Sequence, residues 1–109
     1  MRARTVSFYI DSTLMPEVLR ALDEELLPHY LALPHFLGLV VLESETETRP
    51  EVLGMSLWDG DMSDCDDIIE GFLRRLYDVT GTSATRKRYE VLRLVSNTRL
   101  LGLEPRGDT

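Results

Sequence analysis

The segment FLGLVVLES, residues 36–44, is apolar or glycine at every position from Phe36 to Leu42. A strand with one face in water alternates apolar and polar residues, so this segment predicts a strand with two buried faces. The next predicted strand, EVLGMSLWDG at 51–60, also has large apolar side chains on both faces: Leu53, Met55 and Leu57 on one, Val52 and Trp58 on the other. A sheet that contains these two strands must be covered on both sides.

Alternating apolar residues predict the first and last strands as well. The segment TVSFYI, residues 5–10, has two distinct faces: Val6, Phe8 and Ile10 on one, Ser7 and Tyr9 on the other. The segment YEVLRLV predicts the last strand at 89–95. Residues 80–88, which include the basic run RKR, predict a solvated loop that leads into that strand.

Apolar residues at helical spacing predict two helices. The first extends to about Leu33, and Pro28 should kink or divide it because proline cannot donate to the carbonyl four residues earlier. The second should begin with Ser63 or Asp64 as its cap and end at Gly81.

The predicted order of elements is β-α-β-β-α-β, in one domain over residues 1–95, followed by a C-terminal tail at 96–109. This order predicts an α+β, ferredoxin-like fold with both helices on one face of the sheet. The opposite face would be apolar and exposed, which is typical of an interface. We expect a second copy of the chain to cover it in a homodimer that buries about 1,600 Å². The alternative is that the tail folds over its own sheet.

Composition limits the classes of partner. The chain of 109 residues has a formal net charge of −7, which disfavours nucleic acid and anionic membranes as partners. Its single cysteine, Cys65, excludes an internal disulfide and fits a reducing compartment. No apolar run approaches the roughly 20 residues of a membrane span, and the N-terminal residues lack the apolar core of a signal peptide. We therefore expect a soluble, cytoplasmic protein.

Three motifs make the sequence similar to a known family. Pro34, Phe36 and Gly38 form a Pro-x-Phe-x-Gly turn, Trp58 ends the third strand, and Tyr-Glu-Val begins the fourth at 89–91. Over roughly residues 5–95 the chain thus resembles the antibiotic biosynthesis monooxygenase-like proteins of the dimeric α/β barrel superfamily. The resemblance implies a homodimer whose two sheets join into a barrel.

The resemblance also implies a reaction, the oxygenation of a small aromatic or polyketide-like compound without a metal, flavin or other cofactor. The family's polyketide oxygenases use a Trp like Trp58 together with an Asn, and the place of that Asn is Gly54 here. Its haem-degrading members use a histidine on the second helix and an Asn on the first strand. This chain has no histidine on its second helix, and its first strand ends in Asp11. The alternatives are a non-catalytic homodimer that binds a small molecule or a partner, and a haem-binding protein.

Four residues are candidates for a ligand site. Trp58 is expected to shape a small apolar pocket between sheet and helices, with Tyr9, Ser56 and His29 as polar contacts. In an enzyme, His29 would be the base that deprotonates a phenol, and the resulting anion would react with oxygen. The structural alternatives are that Trp58 and Tyr9 simply pack in the protein and that His29 lies at or near its surface.

We expect no metal site. His29 and His35 are six residues apart across a helix break, which is not the spacing of metal ligands. The aspartates between Asp59 and Asp67 lack the spacing of an EF-hand loop, and charge at a helix start explains them better. Cys65 lies among these aspartates and is expected to be unreactive.

Overall fold

The computed structural model describes residues 1–45 and 48–95, and over these residues the chain forms one antiparallel sheet with helices packed against it. The strands are β1 (Arg2–Tyr9), β2 (Phe36–Glu43), β3 (Glu51–Trp58) and β4 (Thr85–Glu90). Their order in the sheet is β2-β3-β1-β4, and all neighbours are antiparallel. This topology confirms the predicted ferredoxin-like α+β fold. The tail predicted at 96–109 lies outside the described residues.

The first helical segment is divided as predicted. Its parts are a 3-10 turn (Ser12–Leu14), helix α1 (Met15–Ala21), a π turn (Leu22–Leu26) and helix α2 (Leu27–Leu31). Pro28 has no N–H to donate to the carbonyl four residues earlier, so the α-helical hydrogen-bond pattern cannot continue through it. In the turn before it, the backbone N–H of Leu27 bonds the carbonyl of Leu22, five residues back. The interruption therefore has a local cause in the sequence.

The second helix, α3 (Ser63–Thr80), begins differently from the prediction. The expectation that Ser63 or Asp64 caps it is wrong, because Met62 occupies the cap position without a side-chain bond. The Asp61 carboxylate instead accepts the backbone N–H of Ser63 at 2.9 Å. The end of the helix is as predicted, since Gly81 has a left-handed φ of 71°, a conformation that glycine adopts without steric cost.

The last strand also lies elsewhere in the sequence. The prediction of a strand at 89–95 is wrong: β4 is Thr85–Glu90, and residues 91–95 form neither strand nor helix. The basic run predicted to be a loop is therefore inside the strand. All six residues of β4 are exposed, as suits a charged strand at the edge of a sheet.

Ion pairs explain how this basic segment lies against the protein. Arg86 contacts Glu70 of α3 at 2.8 Å, and Arg88 pairs with Asp66 one turn earlier. The two arginines share the sheet face that the helices cover, because the register places them opposite Val6 and Arg4 of β1. Each charge is thus matched by a carboxylate on the helix above.

The hydrophobic core lies between the sheet and the helices. One face of the sheet contributes Val6 and Phe8 from β1 and Val52 and Trp58 from β3, all of them buried. Helix residues with the predicted apolar spacing complete the core: Val18, Tyr30, Ile69, Phe72 and Leu76. Among the described residues, no helix has the length and apolar character needed to cross a membrane.

On the opposite face, β1 and β4 contribute Thr5, Ser7 and Lys87, but the half formed by β2 and β3 is apolar, which confirms the pattern that residues 36–44 predict. It carries Val40 and Leu42 from β2, which are 42% and 50% exposed, and three residues of β3: Leu53, Met55 and Leu57. None of these five belongs to the core cluster beneath the helices. We refer to this surface as the open face.

Candidate ligand-binding site

A cavity of about 40 Å³ lies between the core face of the sheet and the helices. Its walls are apolar side chains of β1, β2 and β3 below and of the helices above, including Leu22 and Leu26 at the two ends of the π turn. Three of the residues that line the cavity have polar side chains: Arg4, Tyr30 and Ser56. A concave apolar space with a few polar groups in its lining is typical of small-molecule sites.

Two of the polar residues come from paired strands. Arg4 of β1 and Ser56 of β3 are opposite each other in the register, and only 4% and 3% of their surfaces are exposed. The Ser56 hydroxyl accepts the indole N–H of Trp58 at 2.8 Å and donates to the Arg4 carbonyl at 3.5 Å. The hydroxyl therefore links the indole to the backbone beside the cavity.

The guanidinium of Arg4 is only partly satisfied. One terminal nitrogen pairs with Asp66 of α3, which also pairs with the more exposed Arg88. The Nε–H of Arg4 is buried and has no partner among the described residues. A buried donor without an acceptor is costly, and this one belongs to a side chain that lines the cavity.

Tyr30 of α2 closes the same end of the cavity and is 1% exposed. Burial raises the pKa of Tyr30, and the neighbouring Ser56 hydroxyl opposes that shift only weakly, so the phenol is neutral at physiological pH. Its ring meets Trp58 edge-on, with the ring centroids 5.0 Å apart. Burial likewise raises the pKa of the adjacent Cys65 thiol, which disfavours the reactive thiolate.

The structure brings together two of the four predicted site residues. Ser56 lines the cavity. Trp58, which was expected to shape it, is not among the lining residues but packs in the core with 1% exposure and donates its indole N–H to the Ser56 hydroxyl. Tyr9 is 52% exposed and, by the alternation of β1, belongs to the open face. His29 is exposed on α2 and is not among the residues that line the cavity.

Two residues of the polar end were not among the predicted site residues. Arg4 precedes Val6 by two positions, so the alternation that predicted the buried face of β1 also places Arg4 on that face. A buried arginine among apolar neighbours was therefore detectable from the sequence. Tyr30 was recognised as part of the apolar stripe of the first helix but not as a polar contact.

Gly54, which the resemblance sets at the place of the polyketide oxygenases' Asn, forms part of the cavity wall. A Cβ at this position would find its nearest neighbour, the carbonyl oxygen of Val6, 4.0 Å away. The space beside Gly54 is thus open rather than filled by another side chain. Over residues 1–45 and 48–95, no group of three or more His, Cys, Asp or Glu side chains is placed to hold a metal ion.

No protein-family model and no curated protein matches the sequence, whereas solved structures match the fold. A crystal structure of a dimeric ferredoxin-like protein from an uncultured marine organism superposes with a TM-score of 0.67 at 13% identity, over 89% of this chain and 100% of that one. This chain is a ferredoxin-like protein by fold.

Two enzymes have the same fold as this ferredoxin-like protein. SnoaB, a cofactor-independent oxygenase from Streptomyces nogalater, matches with a TM-score of 0.58 at 10% identity, over 88% of this chain and 98% of SnoaB. MhuD, a heme-degrader from Mycobacterium tuberculosis, matches with a TM-score of 0.59 at 18% identity, over 88% and 100%. The fold implied by the resemblance to the antibiotic biosynthesis monooxygenase-like proteins is therefore confirmed. Identities this low show the fold alone.

Proposed function

We propose that this protein is a homodimer that binds a small aromatic or polyketide-like compound in the cavity of each protomer and oxygenates it without a metal or flavin. The observation that carries the proposal is the apolar cavity with Arg4, Tyr30 and Ser56 among its lining residues. Such a site buries a ring and orients it through its polar substituent. Oxygenases among the structures with the same fold support the reaction.

The size of the cavity limits the ligand. Its volume of about 40 Å³ is smaller than the roughly 150 Å³ of an engineered cavity that binds benzene, so the walls must move when a ring enters. The π turn Leu22–Leu26 is the natural place for this movement, because its first and last side chains line the cavity and π turns are frequent at functional sites. A one-ring compound therefore suits the site better than a large fused ring system.

The proposed reaction needs only substrate and oxygen. A substrate with an acidic hydroxyl ionises, and its electron-rich ring or enol carbon reacts with O₂. At a carbon that carries two hydrogens, one oxygen atom forms the new C=O, and the other leaves as water with those two hydrogens. The electrons come from the substrate, so no external reductant is required. The base role predicted for His29 remains part of the proposal.

The homodimer is supported by the open face. Five large apolar side chains of β2 and β3 face away from the helices, a surface that a soluble monomer rarely exposes. A protein with the same fold is described as dimeric. A second copy placed face to face would bury both open faces, and a standard interface of about 1,600 Å² is the expected size.

Binding without turnover is the second candidate. It is favoured by Gly54, which places no polar side chain in the cavity wall, and by the absence of both histidines from the lining residues. In this case the protein would be a non-catalytic homodimer that binds a small molecule or a partner.

Oxygen uptake distinguishes the two candidates. The protein is incubated in air with hydroquinone substrates, whose single ring suits the cavity, and with the larger anthrone-type substrates for comparison, while absorbance and oxygen concentration are followed. We expect oxygen uptake above that of buffer, reduced at least about 10-fold in Ser56→Ala because the polar end loses its central hydroxyl. His29→Ala tests the predicted base, and His35→Ala, a second exposed histidine, is its matched control.

Each outcome of this experiment has a definite meaning. Ligand binding without oxygen uptake rejects the oxygenase and leaves the binding protein. If neither ligand binding nor oxygen uptake is observed, the proposed site is rejected altogether. A Soret shift on titration with haem, in place of binding of aromatic compounds, would assign the cavity to haem instead.

A further inference from the structure

We propose that Arg4 makes the cavity selective for compounds with an acidic hydroxyl, by holding the ionised oxygen at the polar end. This inference rests on the proposed binding function and adds the substrate feature that the site recognises. It also assigns a specificity role to a residue of β1.

The hydrogen bonds of the polar end leave one buried nitrogen without a partner among the described residues. The indole N–H of Trp58 is used by Ser56, and the Ser56 hydroxyl is directed at the Arg4 carbonyl. A terminal nitrogen of Arg4 is used by Asp66. The Nε–H of Arg4 remains, buried and unpartnered among the described residues, on a side chain that lines the cavity. The complementary ligand atom is an acceptor oxygen.

The charges at this end favour an anionic oxygen. Asp66 is the single carboxylate shared by two arginines, Arg4 and Arg88, so the three side chains together carry one excess positive charge. The other carboxylates on this side of α3 are Asp67, which is exposed, and Glu70, which is already paired with Arg86 at 2.8 Å. An oxyanion on the ligand would balance the excess charge and accept a charge-assisted hydrogen bond.

The ion pair with Asp66 alone does not account for Arg4. Arg88 makes the same pairing from an exposed strand, with 59% of its side chain accessible, where its remaining donors reach water. Arg4 does so with 5% of its side chain accessible and with a donor left unpaired. A methionine would fill similar space without that cost, and replacing a whole buried ion pair by apolar groups is often neutral or stabilising. A bound acceptor supplies the missing partner.

The test compares two ligands of nearly the same shape. Para-nitrophenol carries an acidic hydroxyl and nitrobenzene lacks it, and both are titrated into the full-length protein by calorimetry. We expect wild-type protein to bind para-nitrophenol about 10-fold or more tightly than nitrobenzene, in line with a hydrogen bond to a charged group. In addition, the bound nitrophenol should show the absorbance of the phenolate at a pH at which the free compound is mostly protonated.

Two variants separate Arg4 from a general effect of the ion pair. Arg4→Met should bind both compounds equally and lose the phenolate absorbance. Arg88→Met removes the excess positive charge but keeps the Nε–H of Arg4, so it should retain a smaller preference, because Arg88 does not line the cavity. Arg4→Lys keeps the positive charge and should keep the phenolate absorbance with a smaller preference. This variant decides the question if Arg4→Met does not fold.

The proposal is overturned if wild-type protein binds the two compounds equally, or if the preference survives in Arg4→Met. Equal binding rejects only the role of Arg4, because the cavity still accepts the ring. Failure to bind either compound rejects the proposed binding function, and the role of Arg4 with it.

Discussion

The indole N–H of Trp58 depends on one hydroxyl, that of Ser56, 2.8 Å away. Ser56→Ala removes this acceptor and leaves a buried donor unpaired, so the free energy of unfolding should fall by about 1–3 kcal/mol. Urea unfolding measures the change. Ser83→Ala, in an exposed loop, is the control and should stay within about 0.5 kcal/mol of wild type. Equal stability of Ser56→Ala and wild type would show that the indole finds another partner.

Tyr30 should make the stability of the protein depend on pH in the alkaline range. Burial raises the pKa of Tyr30 above the ordinary 10.0, so the folded state holds the phenolic proton more tightly than the unfolded chain. Its contribution is therefore complete below pH 10 and is lost above it, at about 1.4 kcal/mol per pH unit for one proton. Denaturant unfolding from pH 8 upward should show this loss.

Two tyrosine variants test whether Tyr30 is the group responsible. Tyr30→Phe should have a shallower decline in stability above pH 10 than wild type, whereas Tyr77→Phe, at a 50% exposed position, should decline like wild type. The same slope in Tyr30→Phe and wild type would contradict the assignment.

At the residue scale, the sequence predicts which face a side chain occupies better than it predicts what the residue does there. The alternation of β1 correctly separates Tyr9 from Val6 and Phe8, and for that reason Tyr9 does not reach the cavity. The same alternation places Arg4 inside. Whether a buried arginine has all of its donors paired depends on Asp66, 62 residues away, which no local pattern reveals.

At the element scale, a glycine within α3 and the glycine that directly follows it should respond in opposite ways to replacement by alanine. Gly71 lies within the helix, where a Cβ would meet its nearest neighbour, an atom of Arg75, at 3.8 Å. Gly71→Ala should therefore stabilise the protein by about 0.5–1 kcal/mol. Gly81→Ala should destabilise it by about 1 kcal/mol, because φ is 71° there. Thermal unfolding measures both changes, and a stabilising Gly81→Ala would contradict the left-handed helix end.

The helices and strands were predicted well where the apolar periodicity is strong and poorly where charged residues interrupt it. The interruption of the first helix follows from Pro28 alone, since one missing N–H ends the α-helical pattern. The last strand was predicted too late in the chain because RKR looks solvated, whereas YEVLRLV alternates. In the folded protein, Arg86 and Arg88 pair with carboxylates of α3, which are distant in sequence, and these contacts outweigh the local pattern.

At the scale of the whole molecule, the two faces of the sheet require two covering layers, and the helices supply one. Leu42→Lys places a charge on the open face at a residue that is 50% exposed in the protomer, so the protomer itself should fold. The charge would be buried at the interface of two copies, and we expect the dimer to dissociate at least about 100-fold more readily. Analytical ultracentrifugation measures this change.

Leu31→Lys is the matched control for Leu42→Lys. Leu31 is also an exposed leucine, with 66% of its surface accessible, but it lies on α2, on the helical side of the protein. This variant should associate like wild type. Equal association of both variants would place the interface elsewhere.

The most direct test of the central claim, that a second copy covers the open face, is the mass of the wild-type protein by light scattering at micromolar concentration. We expect twice the 12.5 kDa of the single chain. A stable, folded species at 12.5 kDa would contradict the claim, because the apolar open face would then be exposed to water.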